Sequence, residues 1–155
     1  MKKFVAFFLV AIFAISTMAF PVSAAYNPND EFVPLARRTL PNIPVITVSN
    51  GNTSIRVYVD SDYVGWRYSP TRNVVKVCQA YTKASGSDPD VIDGYWGPNS
   101  ETALRCAQTT LYNYGYNSGN NEIVSDGECG PRTWRGFYGY NNGVPGTVVD
   151  WVLNS

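Results

Sequence analysis

The sequence predicts a mainly α-helical module with internal pseudo-symmetry: three helices linked by duplicated DGxxG turns and preceded by a β-hairpin. Three observations predict it. Asp93-Gly94-Tyr95-Trp96-Gly97-Pro98-Asn99-Ser100 and Asp126-Gly127-Glu128-Cys129-Gly130-Pro131-Arg132-Thr133 both read DGxxGPx followed by a hydroxyl residue. Each copy runs into a helix-like segment, so a turn feeding a helix is built twice. Apolar residues alternate with period 2 upstream of Ser61 and recur with the helical period from Thr71 onward.

The N-terminus stands apart from this pattern. Lys2 and Lys3 precede an apolar stretch from Phe4 to Ile15, and Pro21-Val22-Ser23-Ala24-Ala25 supplies small residues for cleavage. That is the layout of a secretory signal peptide over 1–24. The apolar run is too short and too quickly broken for a membrane span. No membrane anchor is expected after cleavage, and the protein is expected outside the cell. Residues 25–42, rich in Pro and Asn without periodicity, read as a linker or extended arm.

Residues 43–70 carry the hairpin. Pro44-Val45-Ile46-Thr47-Val48 is apolar and β-branched, Asn50-Gly51 is a hairpin signal, and Ile55, Val57 and Val59 alternate with polar residues. Tyr63 to Tyr68 is a candidate third strand. In 71–140, Val74, Val77, Cys78 and Tyr81 fall on one helical face. Pro98 opens a second helix with an Ala103, Leu104, Ala107, Leu111 stripe. Pro131 opens a third bearing Trp134, Phe137 and Tyr138. Asn113 to Asn121 reads as a Gly/Asn loop. Residues 141–155 read as a tail, with Val148 to Leu153 open to strand or helix.

Composition narrows the function. Removing Lys2 and Lys3 leaves 10 basic residues against 12 acidic ones, so no basic field exists to hold nucleic acid. There is no histidine, which excludes Ser-His-Asp, Cys-His and HExxH chemistry. Calcium fits poorly, because Tyr95 and Trp96 stand where an EF-hand-like loop needs oxygen ligands. No metal or cofactor is expected. For Cys78, Cys106 and Cys129, one disulfide plus an odd thiol is expected in an exported chain. Cys106 with Cys129 is the preferred pair, because the second helix and second turn should be neighbours. The alternative is three buried thiols.

The motif has a structural logic. Gly94 and Gly127 permit positive φ after the Asp. Asp93 and Asp126 can accept backbone N–H bonds across the turn. Gly97 and Gly130 are expected to allow a close approach of backbone to helix. Gln79 and Gln108, near helix ends, are expected to bond loop backbone rather than ligand.

From about Asn73 to Tyr138 the chain resembles the peptidoglycan-binding domain of bacterial cell-wall hydrolases. The family's V-x-x-L-Q corresponds to Val75-Lys76-Val77-Cys78-Gln79. Its DGxFGxxTxxAVxxFQ corresponds to Asp93 through Gly97, Ser100, Ala103-Leu104 and Ala107-Gln108. Its DGxVGxxTW corresponds to Asp126 through Gly130 and Thr133-Trp134. The match covers under half of the precursor. It departs at the three cysteines, at Ala107 where an aromatic is usual, and at the Asn113 to Asn121 insertion. The resemblance implies a compact three-helix bundle and non-catalytic attachment to peptidoglycan, through its glycan strand or its stem peptide.

A groove for such a ligand combines aromatic rings with amide, hydroxyl or guanidinium donors. Candidates are Tyr95, Tyr112, Asn113, Tyr114, Tyr116 and Arg132, with Asn117 and Trp134 behind them. Trp134 lies on an apolar stripe and reads better as core. A protein-interaction or effector module that kept the fold without peptidoglycan affinity is the alternative. A carboxylate enzyme using Asp93 or Glu101 is a distant third.

Overall fold

The computed structural model describes residues 37–117 and 119–155. The expected signal peptide and residues 25–36 of the expected arm lie outside the described residues. The chain is mainly helical with a small antiparallel hairpin: β1 (Val45–Ser49), β2 (Ser54–Tyr58), α1 (Arg72–Ala84), α2 (Pro98–Asn113), α3 (Pro131–Tyr140) and α4 (Gly146–Leu153). A single 3-10 turn spans Gly119–Asn121.

The hairpin pairs Ile46 with Val57 and Val48 with Ile55. Its alternation puts Ile46, Val48, Val57 and Val59 entirely out of solvent. The connection is longer than the tight Asn-Gly turn the sequence suggested. Ser49 faces Ser54, leaving Asn50 to Thr53 as the loop. Gly51 alone in that loop takes positive φ, at +90°. Asn50 acts instead through its side chain, whose Oδ1 accepts the N–H of Asn52 at 3.1 Å and of Thr53 at 2.8 Å. Tyr63 to Tyr68 does not form a third strand. It contributes one isolated antiparallel bridge, Val64 to Cys129.

Thr71 caps α1, its Oγ1 accepting from the Val74 N–H. Pro98 and Pro131 each stand at a helix start, where the missing N–H costs nothing. Helix α1 is central and packs against α2, α4 and β2, while α4 also packs on β1. The hairpin is therefore a wall of the core. Tyr81 of α1 and Phe137 of α3 stack at 5.6 Å, and Trp134 meets Phe137 edge-on at 6.5 Å. Trp134 is fully buried, as its stripe predicted, and its Nε1 donates to the Asp62 carbonyl at 2.6 Å.

The segment read as a tail is the largest departure from the expected architecture. Pro145 precedes α4, whose Val148 and Val152 are buried against α1 and the hairpin. Burying each side chain stabilises by roughly 1.5–3 kcal/mol. Ending the chain after Asn142 removes α4 and uncovers Ile46 and Val48. Such a truncation is expected to abolish the cooperative thermal transition. A melt within a few degrees of the full chain would show that 143–155 is dispensable.

Candidate functional site: two repeated grooves

Each Asp-Gly turn is closed by one buried glutamine from the preceding helix. The Gln79 Oε1 accepts the Gly94 N–H at 2.9 Å. Its Nε2 donates to Asp93 Oδ1 at 3.2 Å, the Tyr95 carbonyl at 3.0 Å and Ser100 Oγ at 3.1 Å. Gln108 repeats the pattern. Its Oε1 accepts the Gly127 N–H at 2.9 Å, and Nε2 donates to Asp126 Oδ1 at 2.8 Å, the Glu128 carbonyl at 2.9 Å and Thr133 Oγ1 at 3.2 Å. Within each turn the Asp carboxylate accepts the N–H two residues on, at 2.9 Å in both copies. The hydroxyl ending each motif is therefore an amide acceptor. Gln79 and Gln108 are structural, as expected, and their reach extends beyond the loop backbone.

Gly94 and Gly127 take φ of +79° and +75°. Their surroundings differ. A Cβ on Gly94 would lie 2.6 Å from the Arg72 carbonyl oxygen, whereas one on Gly127 would meet the Glu101 Cγ at 2.9 Å and the Arg105 guanidinium at 3.0 Å. The second pair of motif glycines corrects the expectation of close approach. Gly97 has open space where its Cβ would stand, while Gly130 would collide with the Tyr63 ring at 2.8 Å.

The clamped turns shape two open grooves of nearly equal volume, about 270 Å³ at the first turn and about 280 Å³ at the second. Asp93, Gly97, Pro98 and Ser100 line the first; Asp126, Gly130, Pro131 and Thr133, each 33 positions later, line the second. Val91 and Val124 occupy matched places in the two linings, and each is 56% exposed. The chemistry then diverges. The first groove carries Asp90, Tyr95 and Asn99, and the second Ile123, Glu128 and Arg132 at the same positions. Tyr63 also lines the second groove, from outside the repeat.

That ring arrives on a strap, residues 63–68, pinned to the second turn. Val64 and Cys129 exchange backbone bonds of 3.0 and 2.8 Å. Arg67 grips the Glu128 carboxylate with two bonds of 2.7 Å, and Tyr68 donates to it at 3.2 Å. Trp66 is 60% exposed, yet its Nε1 donates to Glu101 Oε2 at 2.6 Å. Arg105 bonds the other Glu101 oxygen and the Ser125 carbonyl, so the exposed indole is held in one orientation. These contacts hold carboxyls below the usual range. The Arg67 bond does so for Glu128, the Trp66 bond for Glu101 and the Tyr95 N–H for Asp93.

The candidate ligand residues separate under this geometry. Tyr95 is 61% exposed in the first groove, with the Arg72 guanidinium 4.0 Å from its ring centroid. Arg132 is exposed in the second groove. Tyr112 lines a neighbouring hollow shared with Glu122 and Val124, and Asn113 is exposed at the end of α2. Tyr116 is corrected, and Tyr114 is half-buried. Tyr116 is buried beneath Gly139, and Tyr114 packs edge-on against Tyr140 under the Arg38 guanidinium. Asn117 is half-buried and lines neither groove. Sequence reasoning missed Tyr63 and Trp66. Their only signal was an aromatic-rich segment without helical period.

The preferred pairing of Cys106 with Cys129 does not form. All three cysteines are thiols in the structure, with Cys78 and Cys129 buried and Cys106 exposed. Helix α2 buries Ala103, Leu104, Ala107 and Leu111, which turns Cys106 outward. Among the described residues no cluster of three or more potential metal ligands occurs, and no helix is long and apolar enough to cross a membrane. No family model, curated protein or solved structure matches the chain.

Replacing Gln79 or Gln108 with Ala strands a buried glycine N–H, and each change is expected to cost about 1–3 kcal/mol in chemical denaturation. Gly127→Ala is expected to cost roughly 1–2 kcal/mol for its φ alone. Gly94→Ala should cost more, because backbone cannot move aside as Glu101 and Arg105 can; equal costs would contradict the mapped surroundings. The depressed carboxyls stabilise the fold above their unfolded pKa. That stability is lost as pH falls through the ordinary carboxylate range, about 3.9–4.3, toward the lower folded values. Melting temperature is expected to be level near neutrality and to drop below about pH 4. Glu128→Gln should make the drop shallower, and an unchanged acid limb would rule out its Arg67 contact as a source.

Proposed function

We propose that this chain is an exported, non-catalytic binder of cell-wall peptidoglycan, with the second groove as its main contact. The observation that carries the reading is the duplication of the groove. Two hollows of matched size and lining recur on the turns of a repeated motif resembling that of wall-binding modules. A polymer of repeating units presents similar groups at intervals, which suits a duplicated site.

The second groove has the fuller set of recognition groups. Tyr63 offers a ring face to a sugar, Arg132 a guanidinium to a carboxylate of the stem peptide, and Glu122 and Asp126 acceptors to hydroxyl or amide groups. Outside the groove's lining, the same strap presents Trp66, an exposed ring held by Glu101. Tyr95 is the ring available to the first groove.

The mature chain, expressed from Ala25, is expected to co-sediment with purified insoluble peptidoglycan without releasing soluble fragments. Arg132→Ala and Trp66→Ala alter exposed side chains, so melts should hardly move. Each is expected to weaken binding about fivefold to thirtyfold, equivalent to roughly 1–2 kcal/mol. Tyr95→Ala reports separately on the first groove. Wild-type protein left wholly in the supernatant across several wall types would sink the reading in favour of a protein-interaction module. Soluble muropeptides would instead reveal an enzyme.

A further inference from the structure

We propose that the outer face of α2, from Trp66 to the hollow at Tyr112, binds the glycan strand itself, as a run of linked amino sugars laid across both rings. The choice of sugar rests on the wall-binding reading; the face does not. One unbroken chain of contacts joins its two ends. The Trp66 Nε1 donates to Glu101 Oε2 at 2.6 Å. The other Glu101 oxygen accepts Arg105 Nε at 3.1 Å and Nη2 at 2.8 Å. Arg105 Nη1 donates to the Ser125 carbonyl at 2.9 Å, and the Ser125 hydroxyl returns a bond of 2.9 Å to the Arg105 carbonyl. Ser125 in turn lines the hollow with Thr109, Tyr112 and Val124. Glu101, Arg105, Thr109 and Tyr112 follow at i, i+4, i+8 and i+11, one face of a helix.

Trp66 is the residue that the fold does not need. An indole 60% exposed buries little of its ring, and a surface bond to a carboxylate contributes little stability. What the bond does is orient the ring. Its one polar donor is spent, so the part left in solvent is a flat apolar face. Tyr112, 41% exposed, and Val124 supply apolar surface at the far end. The negative face of an aromatic ring attracts the C–H groups of a sugar.

The charges decide between glycan and stem peptide. Glu101 and Arg105 neutralise each other. Each Arg105 side-chain nitrogen already donates within the protein, so no guanidinium is left for a peptide carboxylate. Glu122 in the hollow repels one. It can instead accept from hydroxyl or acetamido N–H groups, as can the hydroxyls of Thr109 and Ser125. A neutral, hydroxyl-rich ligand fits this face. Glu101 and Tyr112 stand eleven residues apart on α2, about 16 Å at 1.5 Å per residue, the span of several linked rings rather than one. The hollow shares Glu122, Ile123 and Val124 with the second groove. A strand lying on α2 thus brings its stem peptide toward Arg132.

The test uses a probe without stem peptide, the soluble tetramer of β-1,4-linked N-acetylglucosamine. Titrated into the purified protein, it is expected to shift tryptophan emission to shorter wavelength as Trp66 is covered. The monosaccharide should bind at least about tenfold more weakly, and added salt should change the affinity less than about twofold. Trp66→Ala should abolish the emission shift. By calorimetry, Trp66→Ala and Tyr112→Ala should each weaken binding about fivefold to thirtyfold, with melts hardly moved. Glu101→Ala should lose as much by releasing the indole, whereas Glu101→Gln, which keeps an acceptor, should retain most of the affinity. No binding of the tetramer, or binding that survives both Trp66→Ala and Tyr112→Ala, would overturn the proposal. A protein that sediments with peptidoglycan yet ignores the tetramer loses the glycan face and keeps its wall affinity. One that takes the tetramer but stays in the supernatant keeps the face and loses the wall.

Discussion

The architecture depends on one buried primary amide used twice. Gln79 and Gln108 each satisfy a glycine N–H that the left-handed turn directs inward, where no water could reach it. The same amide draws in the Asp carboxylate, a turn carbonyl and the hydroxyl of the following helix's first turn. Two N–H groups shared among three acceptors leave little slack. Each turn is thereby fixed to the helix before it and the helix after it. The duplicated motif is the sequence trace of this bonding pattern. Its Asp, its first Gly and its final hydroxyl are three of the four groups the amide touches, the fourth being a backbone carbonyl that any residue supplies.

Helix α2 belongs to both clamps. Its first turn carries Ser100, an acceptor of the first clamp, and Gln108 on the same helix is the centre of the second. Loosening either clamp disturbs the helix the other relies on, which ties the two repeats into one unit. The remaining elements close around this frame. Helix α1 lies between α2 on one side and α4 with the hairpin on the other. The strap at 63–68 anchors to the second turn through Arg67 and Glu128. An isolated surface pair would contribute little. This one is bidentate, is joined by Tyr68, and lies beside the Val64 backbone bridge, so it positions the strap more than it stabilises the fold.

The same constraint makes the grooves. A turn closed by its amide leaves a hollow against the following helix, and two clamps leave two hollows of similar size. Side chains outside the clamp then differ freely. Asp90, Tyr95 and Asn99 give the first groove an acidic, aromatic character, whereas Glu128 and Arg132 give the second charges of both signs. Glu128 has a second task there, since its carboxylate receives the strap that brings Tyr63 over Gly130. The missing side chain at Gly130 is what admits that ring. Gly97 admits nothing, so the first groove has no such wall. One preserved frame thus carries two sites of different chemistry.

The sequence by itself determined the local elements: the hairpin from its period of 2, α1 to α3 from their apolar stripes, and the helix starts from Pro98 and Pro131. It determined the turns as well, because positive φ after Asp93 and Asp126 is a local demand that glycine meets. It also placed Trp134 in the core and Gln79 and Gln108 at the loops, since spacing on a helix fixes which face a side chain shares. Only the tertiary structure decided what meets across long separations. It made 146–153 a core helix, since a short apolar segment shows its partner only when α1 and β1 are already in place. It buried Tyr116, turned Cys106 outward and left Cys78 and Cys129 in the core. It carried Tyr63 to a groove whose other walls lie about 60 or more positions downstream. A motif records the bonds made within it, and a groove is made between elements whose approach no local pattern encodes.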